Sequence, residues 1–337
     1  MKIPDPVLVP DVSSWCDHIN AKEFEDGGCG SVVVGLYPER QTNGKLVLSP
    51  VSRAQCVEVA THSSMILQAY FWDDITLDPF AQADWLAETI LQEGLPIKFV
   101  WGDQEQWWTN WTVYNKASAG KVPWSFVPRA SPLNISLHYQ AFMFHLSTQI
   151  SGVGVYTNNG FVSSWSPSMG TWLSRYKAWP AEYGRQPAVP TRMTWAELKA
   201  SWMPTFDLIL APGQLPDQVV GEQFTDDCIL PGSYNQIGQA MELDVSVFSA
   251  AWLKGLVQVV PLSGTTVPPI AVPVPTGVLY VKTGSWIFAT PNDGAGCKCV
   301  GMTTVNEAVT VSQASGAFSM LASPVVGWVR TVDLSTG

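Results

Sequence analysis

Two acids spaced two residues apart, Asp103 and Glu105, stand at the end of an apolar run, Pro96-Ile97-Lys98-Phe99-Val100-Trp101-Gly102-Asp103-Gln104-Glu105-Gln106-Trp107-Trp108. The first half of the run is β-branched or aromatic and is bounded upstream by Gly94 and Pro96, the pattern of a buried strand. Residues i and i+2 of a strand leave the same face, roughly 6.5 Å apart along the backbone. Two carboxyl groups so placed repel each other's charge, and one is expected to have its pKa raised. That arrangement keeps one carboxyl protonated as an acid beside an ionised neighbour.

Composition narrows the setting. The 337-residue chain is long enough for one large domain and a small one, and its 46% hydrophobic content supplies a substantial core. No run of about 18 apolar residues occurs, so no transmembrane span or membrane insertion is expected. A net charge of −10 argues against nucleic acid as a partner, because phosphate binding needs a basic footprint. It argues equally against simple electrostatic adhesion to an anionic wall. Met1-Lys2-Ile3-Pro4-Asp5-Pro6 carries no apolar signal-peptide core, so production in the cytoplasm without a Sec signal is expected.

The elements that must position the acids alternate. Strands are expected at Val7–Ser13, Ser31–Leu36, Met65–Phe71, the acidic run, and Gly152–Thr157. Further candidates are Leu173–Trp179, Phe206–Leu210 and Val219–Thr225. Between them, Asp17 is expected to cap a helix through Phe24, and other helices fall near Ser52–His62 and Ile135–Ile150. Asp78-Pro79 opens a helix with an apolar face at Phe80, Ala83, Leu86, Ile90 and Leu91, which Gly94 ends. Eight strands in βα order predict an α/β fold, a (β/α) barrel rather than an open sheet. In such barrels chemistry sits at the C-terminal strand ends, where Asp11, Asp103 and Glu105 all fall.

The long loop Gln106–Pro132 holds Trp107, Trp108, Trp111, Tyr114 and Trp124. These rings have two readings, platforms for sugar faces or the loop's own small core; Trp107, two residues beyond Glu105, is the one favoured for a sugar. His18, His62, His138 and His145 show no metal-ligand spacing, so no metal or other cofactor is expected, and His138 and His145 read as structural. The six cysteines form no C-x-x-C pair. They are expected to be mostly reduced, with Cys16–Cys29 the best disulfide candidate.

Several segments resemble, in order, the family-25 glycoside hydrolases, which are peptidoglycan muramidases. Pro10-Asp11-Val12-Ser13-Ser14-Trp15 looks like that family's opening D-x-S-x-W/H motif, and Ala69-Tyr70-Phe71-Trp72 like its tyrosine-containing strand. Trp101-Gly102-Asp103-Gln104-Glu105 is similar to its central D-x-E. Val155-Tyr156-Thr157, Trp172-Leu173-Ser174-Arg175-Tyr176, Glu222-Gln223-Phe224-Thr225 and Glu242-Leu243-Asp244-Val245-Ser246-Val247-Phe248 resemble the later segments. The likeness covers roughly residues 5–250. The chain departs from the family at three places. Val34-Gly35-Leu36-Tyr37-Pro38-Glu39 replaces a lysine-containing strand end, Val-Gly replaces a tryptophan before Glu222, and Ser246 replaces an asparagine.

The resemblance implies a barrel of the family-25 lysozyme type and an N-acetylmuramidase cleaving the β-1,4 bond between N-acetylmuramic acid and N-acetylglucosamine. Glu105 would be the general acid. Asp103 would stay ionised and orient the substrate's own N-acetyl group, with Asp11 and Asp244 lining the cleft and tuning charge. Tyr70, Trp107, Tyr156, Tyr176 and Gln223 would bind the glycan. Strand spacing leaves assisted, direct and inverting courses open. The alternative is a non-catalytic wall-binding or structural component on a retired barrel.

After the catalytic region, residues 1–255, the prolines at 261, 268, 269, 273 and 275 mark a linker over 256–276. Residues 277–337, rich in Val, Thr, Ser and Gly, read as a small all-β domain. Leu279-Tyr280-Val281-Lys282-Thr283 and Val326-Gly327-Trp328-Val329-Arg330 look like a bacterial SH3-like barrel. The partners implied are bacterial peptidoglycan and a phage or contractile-injection particle, with release by lysis or a particle to act on the cell wall.

Overall fold

The computed structural model describes residues 3–42, 45–183, 191–201 and 209–262, together with the backbone of strands between Leu279 and Ser335. The chain divides into two units, Met1–Thr76 with Gln82–Leu262, and Leu77–Ala81 with Ser263–Gly337.

Eight strands form the barrel of the first unit: β1 (Pro6–Val12), β2 (Ser31–Gly35), β3 (Ile66–Trp72), β4 (Val100–Asp103), β5 (Val153–Asn158), β6 (Lys177–Ala181), β7 (Gly221–Tyr234) and β8 (Ala240–Ser249). The order around the sheet is β7-β8-β1-β2-β3-β4-β5-β6, and a parallel pairing of β6 with β7 at Ala181 and Gln223 closes it. The (β/α) barrel expected from the alternation is therefore present. β1 to β6 run parallel, whereas β8 lies antiparallel between β7 and β1. The reason is local. Asn235 N donates to Gln239 O at 3.0 Å and Gly238 adopts φ +74°, a tight turn with no room for a crossover helix.

The helices are α1 (Ala21–Asp26), α2 (Pro50–His62), α3 (Pro79–Glu93), α4 (Trp111–Ser118), α5 (Pro132–Gln149), α6 (Asn159–Trp165), α7 (Trp195–Ser201) and α8 (Ala250–Lys254). Asp78 caps α3 as expected, its Oδ1 accepting from Phe80 N at 2.9 Å, and Gly94 follows at φ +61°. Among the described residues no helix is long and apolar enough to cross a membrane.

Several expectations need correcting. Asn20, not Asp17, caps α1, while Asp17 accepts from Gln236 N at 3.0 Å. The aromatic loop contains α4, capped by Asn110 Oδ1 accepting from Val113 N at 3.0 Å. Leu173–Arg175 is a turn of 3-10 helix, so only Lys177–Ala181 is strand. The candidate strand at 206–210 falls largely outside the described residues, and the eighth barrel strand is β8. Cys16, Cys29, Cys56 and Cys228 are buried and form no disulfide, so the Cys16–Cys29 bond is not made. Instead Ser233 Oγ donates to Cys16 Sγ at 2.9 Å. The side chains of Cys297 and Cys299 lie outside the description.

Two apolar layers follow from strand alternation. Outward-facing residues such as Val34, Phe71, Val100 and Val155 pack with Tyr139, Phe142 and Met143 of α5. Inward-facing Phe99, Trp101, Trp179 and Phe248 fill the barrel interior, with ring centroids 4.6 Å apart for Phe99–Trp101, 5.5 Å for Trp101–Trp179 and 5.5 Å for Trp179–Phe248. Small residues make room on both faces. A Cβ on Gly154 would sit 2.5 Å from the Trp101 ring of the interior plug, and one on Gly102 2.5 Å from Met143 Sδ of the outer layer. The interior is thus a packed floor, leaving chemistry to the rim.

The chain stays with the barrel through Leu262, later than the linker start expected at 256. Val259 N donates to Ile97 O at 2.8 Å and Leu262 N to Gln149 O at 2.8 Å. In the second unit the described strands form a seven-stranded antiparallel sheet, Leu279–Val281 pairing with Glu307–Ser315 and with Leu334–Ser335. The linker residues 263–276 lie outside the described residues.

Candidate active site

β4 delivers the acid pair. Trp101, Asp103 and Glu105 alternate inward, so the two carboxyls rise directly above the Trp101 floor. Asp103 is 6% exposed and Glu105 half-buried. β1 and β8 supply two more acids on the same side, because their antiparallel register sets Asp11 opposite Asp244. Side chains facing each other in such a pair have Cβ atoms about 5 Å apart. The closing hairpin therefore brings Asp244 to this end of the barrel.

The charges act on one another. Burial, then Asp244 and Glu105, hold the Asp11 carboxyl well above the usual carboxylate range. Burial, then Glu105, Asp11 and Asp244, do the same to Asp103. Glu105 is pushed up to about 7, mainly by burial; Asp226 adds to the rise and the bond from Asn158 opposes it. One detail differs from the sequence expectation. Asp103 is itself held toward the protonated form in the free protein, by burial and then by Glu105, Asp11 and Asp244, and its buried Oδ1 has no hydrogen-bond donor.

The walls are tyrosines and amides. Tyr156 on β5 and Tyr183 after β6 both donate to Gln223 Oε1, the latter at 2.7 Å, and their hydroxyls lie 3.2 Å apart. Tyr70 on β3 shares a hydrogen bond with Tyr37, which occupies the segment that departs from the resembled family. Burial raises the Tyr37 and Tyr70 hydroxyls above their ordinary range, so both stay neutral. Ser246, another departure, accepts from Trp179 Nε1 at 2.9 Å and so anchors the floor.

Of the residues singled out from sequence, Asp11, Asp103, Glu105, Asp244, Tyr70, Tyr156 and Gln223 converge on this rim. Tyr176 does not. It precedes β6, at the end of the barrel away from the acids, and packs edge-on against Trp172 with centroids 6.0 Å apart. Trp107 is engaged in the loop's own core: its ring stacks on Trp165 at 4.4 Å, and Arg129 lies over the pair, 5.4 Å and 4.7 Å from the two rings. Glu105 lies past the last residue of β4, so strand parity does not carry from it to Trp107.

Asn158, Tyr183, Tyr37 and Asp226 were missed. Asn158 had a signal, since it stands two residues after Tyr156 on the same face, one residue beyond the strand read from sequence. His138 and His145 lie off the rim, bonded to Asp73 Oδ1 at 2.9 Å and Asp84 Oδ1 at 2.8 Å.

No protein-family model matches the chain, and no curated protein matches it. Among solved structures the chain is similar to a bacterial lysozyme from Streptomyces coelicolor, with 15% identity and a TM-score of 0.48 over 73% of this chain and 94% of that one. A muramidase from Acremonium alcalophilum has 14% identity and a TM-score of 0.47, over 74% and 97% of the two chains. A family 25 glycosyl hydrolase from Bacillus anthracis has 12% identity and a TM-score of 0.45, over 72% and 88%.

Proposed function

We propose that the chain is a glycoside hydrolase acting on bacterial peptidoglycan, an N-acetylmuramidase that cleaves the β-1,4 bond between N-acetylmuramic acid and N-acetylglucosamine. The observation that carries this reading is the Asp103–Glu105 pair, lifted above an aromatic floor with Glu105 pushed up to about 7. Glycoside hydrolysis needs an acid for the leaving oxygen and a negative group near the anomeric carbon. Glu105 holds its proton below neutral pH and gives it to the glycosidic oxygen. Asp103 offers an unpaired Oδ1. An N–H from the substrate's acetamido group supplies the missing donor, favours the ionised carboxylate and turns the acetamido carbonyl toward the anomeric carbon. Asp11 and Asp244 oppose further negative charge and keep the pair partly protonated. Tyr70, Tyr156 and Gln223 contact the sugar along the rim.

We assign the C-terminal strands to an SH3-like module that docks on the wall, which the acidic barrel cannot reach by charge alone.

Digestion of purified walls, with mass spectrometry of the released fragments, tests the activity. Fragments ending in reducing N-acetylmuramic acid are expected. Reducing N-acetylglucosamine or free stem peptides would assign the chain to another class of hydrolase. Wall binding without any release would make it a binding or particle component.

A further inference from the structure

A second polar cluster lies behind Asp103 and Glu105, on the outer face of the same strand ends. Asp73 follows β3 and its N donates to Asp103 O at 3.3 Å, extending the ladder in which Trp72 pairs with Asp103. Asp73 and Gln104 are therefore lateral neighbours, pointing away from the rim. Both are 0% exposed. Asp73 Oδ1 accepts from His138 Nε2 at 2.9 Å and from Gln82 Nε2 at 2.8 Å, whereas its Oδ2 and both amide atoms of Gln104 have no partner. A buried carboxylate left half-satisfied is strongly unfavourable unless a charge pairs with it. Such a group in a native fold calls for an explanation.

Helix α5 reaches both ends of the acid segment with consecutive residues. His138 meets Asp73, and the Tyr139 hydroxyl accepts from Gln106 N at 2.8 Å. On the other flank Thr157 Oγ1 donates to Gln104 O at 2.8 Å. Glu105 is thus clamped from both sides, and one arm of the clamp rests on the Asp73–His138 hydrogen bond. We propose that Asp73 and His138 form a positioning pair that sets the proton occupancy of Asp103 and Glu105 from behind the sheet. It acts through its charge and through the backbone that Asp73 shares with Asp103. The inference rests on the acid–base role assigned to those two residues.

The groups facing Asp73 are His138 and Tyr139 from α5, Gln82 from α3, Asp74 beside it and Asp103 across the strand ends. Its negative charge is one of the causes that raise Asp103, and His138 in turn opposes the rise of Asp73 itself. Removing the Asp73 charge should therefore lower the titration of the rim acids, and removing His138 should act the same way, less strongly, by letting Asp73 rise.

The test is a carboxyl carbon NMR titration of Asp103 and Glu105 in the full chain, for wild type, Asp73→Asn and His138→Gln, beside the pH profile of wall cleavage. Asp73→Asn deletes a negative charge, so the rim titration and the alkaline limb should fall by about half a unit or more. His138→Gln keeps a donor but removes what opposes the rise of Asp73, so part of the Asp73 charge is lost and both should move the same way by a smaller step. Unmoved titrations in a folded Asp73→Asn variant would overturn the pair's role, even if stability or turnover drops, because a merely structural contact lowers activity evenly across pH. Should His138→Gln not fold, the near-isosteric Asp73→Asn decides alone. Should the wild type leave walls uncleaved, the proposed activity fails, and the substrate-free titration still judges the pair.

Discussion

Asn158 holds Glu105 with one end of its amide and starts a helix with the other. Its Nδ2 donates to Glu105 Oε1 at 2.5 Å while its Oδ1 accepts from Phe161 N at 2.6 Å as the N-cap of α6. Both ends of the side chain are committed, so the amide cannot rotate, and the Glu105 carboxyl is aimed by a fixed donor.

Asn158→Ala should lower turnover about 10- to 100-fold through loss of aim. The lost bond favoured the ionised carboxylate, so the Glu105 pKa should rise above its present value of about 7 and the alkaline limb should move up. Loss of the cap should also cost about 1 kcal/mol. Kinetics across pH beside a melting curve separate the effects. An unmoved limb would remove Asn158 from the site's electrostatics.

Glu105→Gln should reduce wall hydrolysis by about 10²- to 10⁴-fold, the usual worth of a general acid, with little change in the melting temperature. A turbidity assay on purified walls reads this directly. Activity within a few-fold of the unmodified chain would take the acid role away from Glu105.

Glu222 faces away from the rim, is 3% exposed, and is pushed up to about 7 by burial and then by Glu182. A carboxyl whose folded pKa exceeds its unfolded value of about 4.3 stabilises the fold fully below that lower pKa and loses the contribution as pH rises through the folded pKa. Glu222→Gln should therefore match the unmodified chain near pH 4 and exceed it at pH 8, by on the order of 1–3 kcal/mol. Parallel denaturation curves at both pH values would count against this.

A chain ending at Leu262 should fold, because the barrel closes within it and the segment through Leu262 pairs with Ile97 and Gln149. If the remaining strands dock on walls, the shortened chain should keep its rate on small soluble muropeptides and lose about 10²- to 10⁴-fold on intact walls, the gain that tethering supplies. Equal losses on both substrates would mean that the module belongs to the catalytic fold.

Local patterns were legible in the sequence. The β-branched runs gave β1 to β5, Asp78-Pro79 and Gly94 marked both ends of α3, and the alternation Trp101, Asp103, Glu105 put two acids on one face. These features depend on residues only a few positions apart, so periodicity and capping chemistry suffice. What only the tertiary structure decided lies at long range. The pairing of β1 with β8 set Asp11 against Asp244, and the short hairpin at Gly238 turned the last strand antiparallel. The strand direction of β6 carried Tyr176 to the far end. Trp165, from a helix almost 60 residues away, claimed the face of Trp107. Alternation tells which face a side chain leaves from; which charge waits across the barrel, and so which proton is held, depends on closure, and closure is a property of the whole chain.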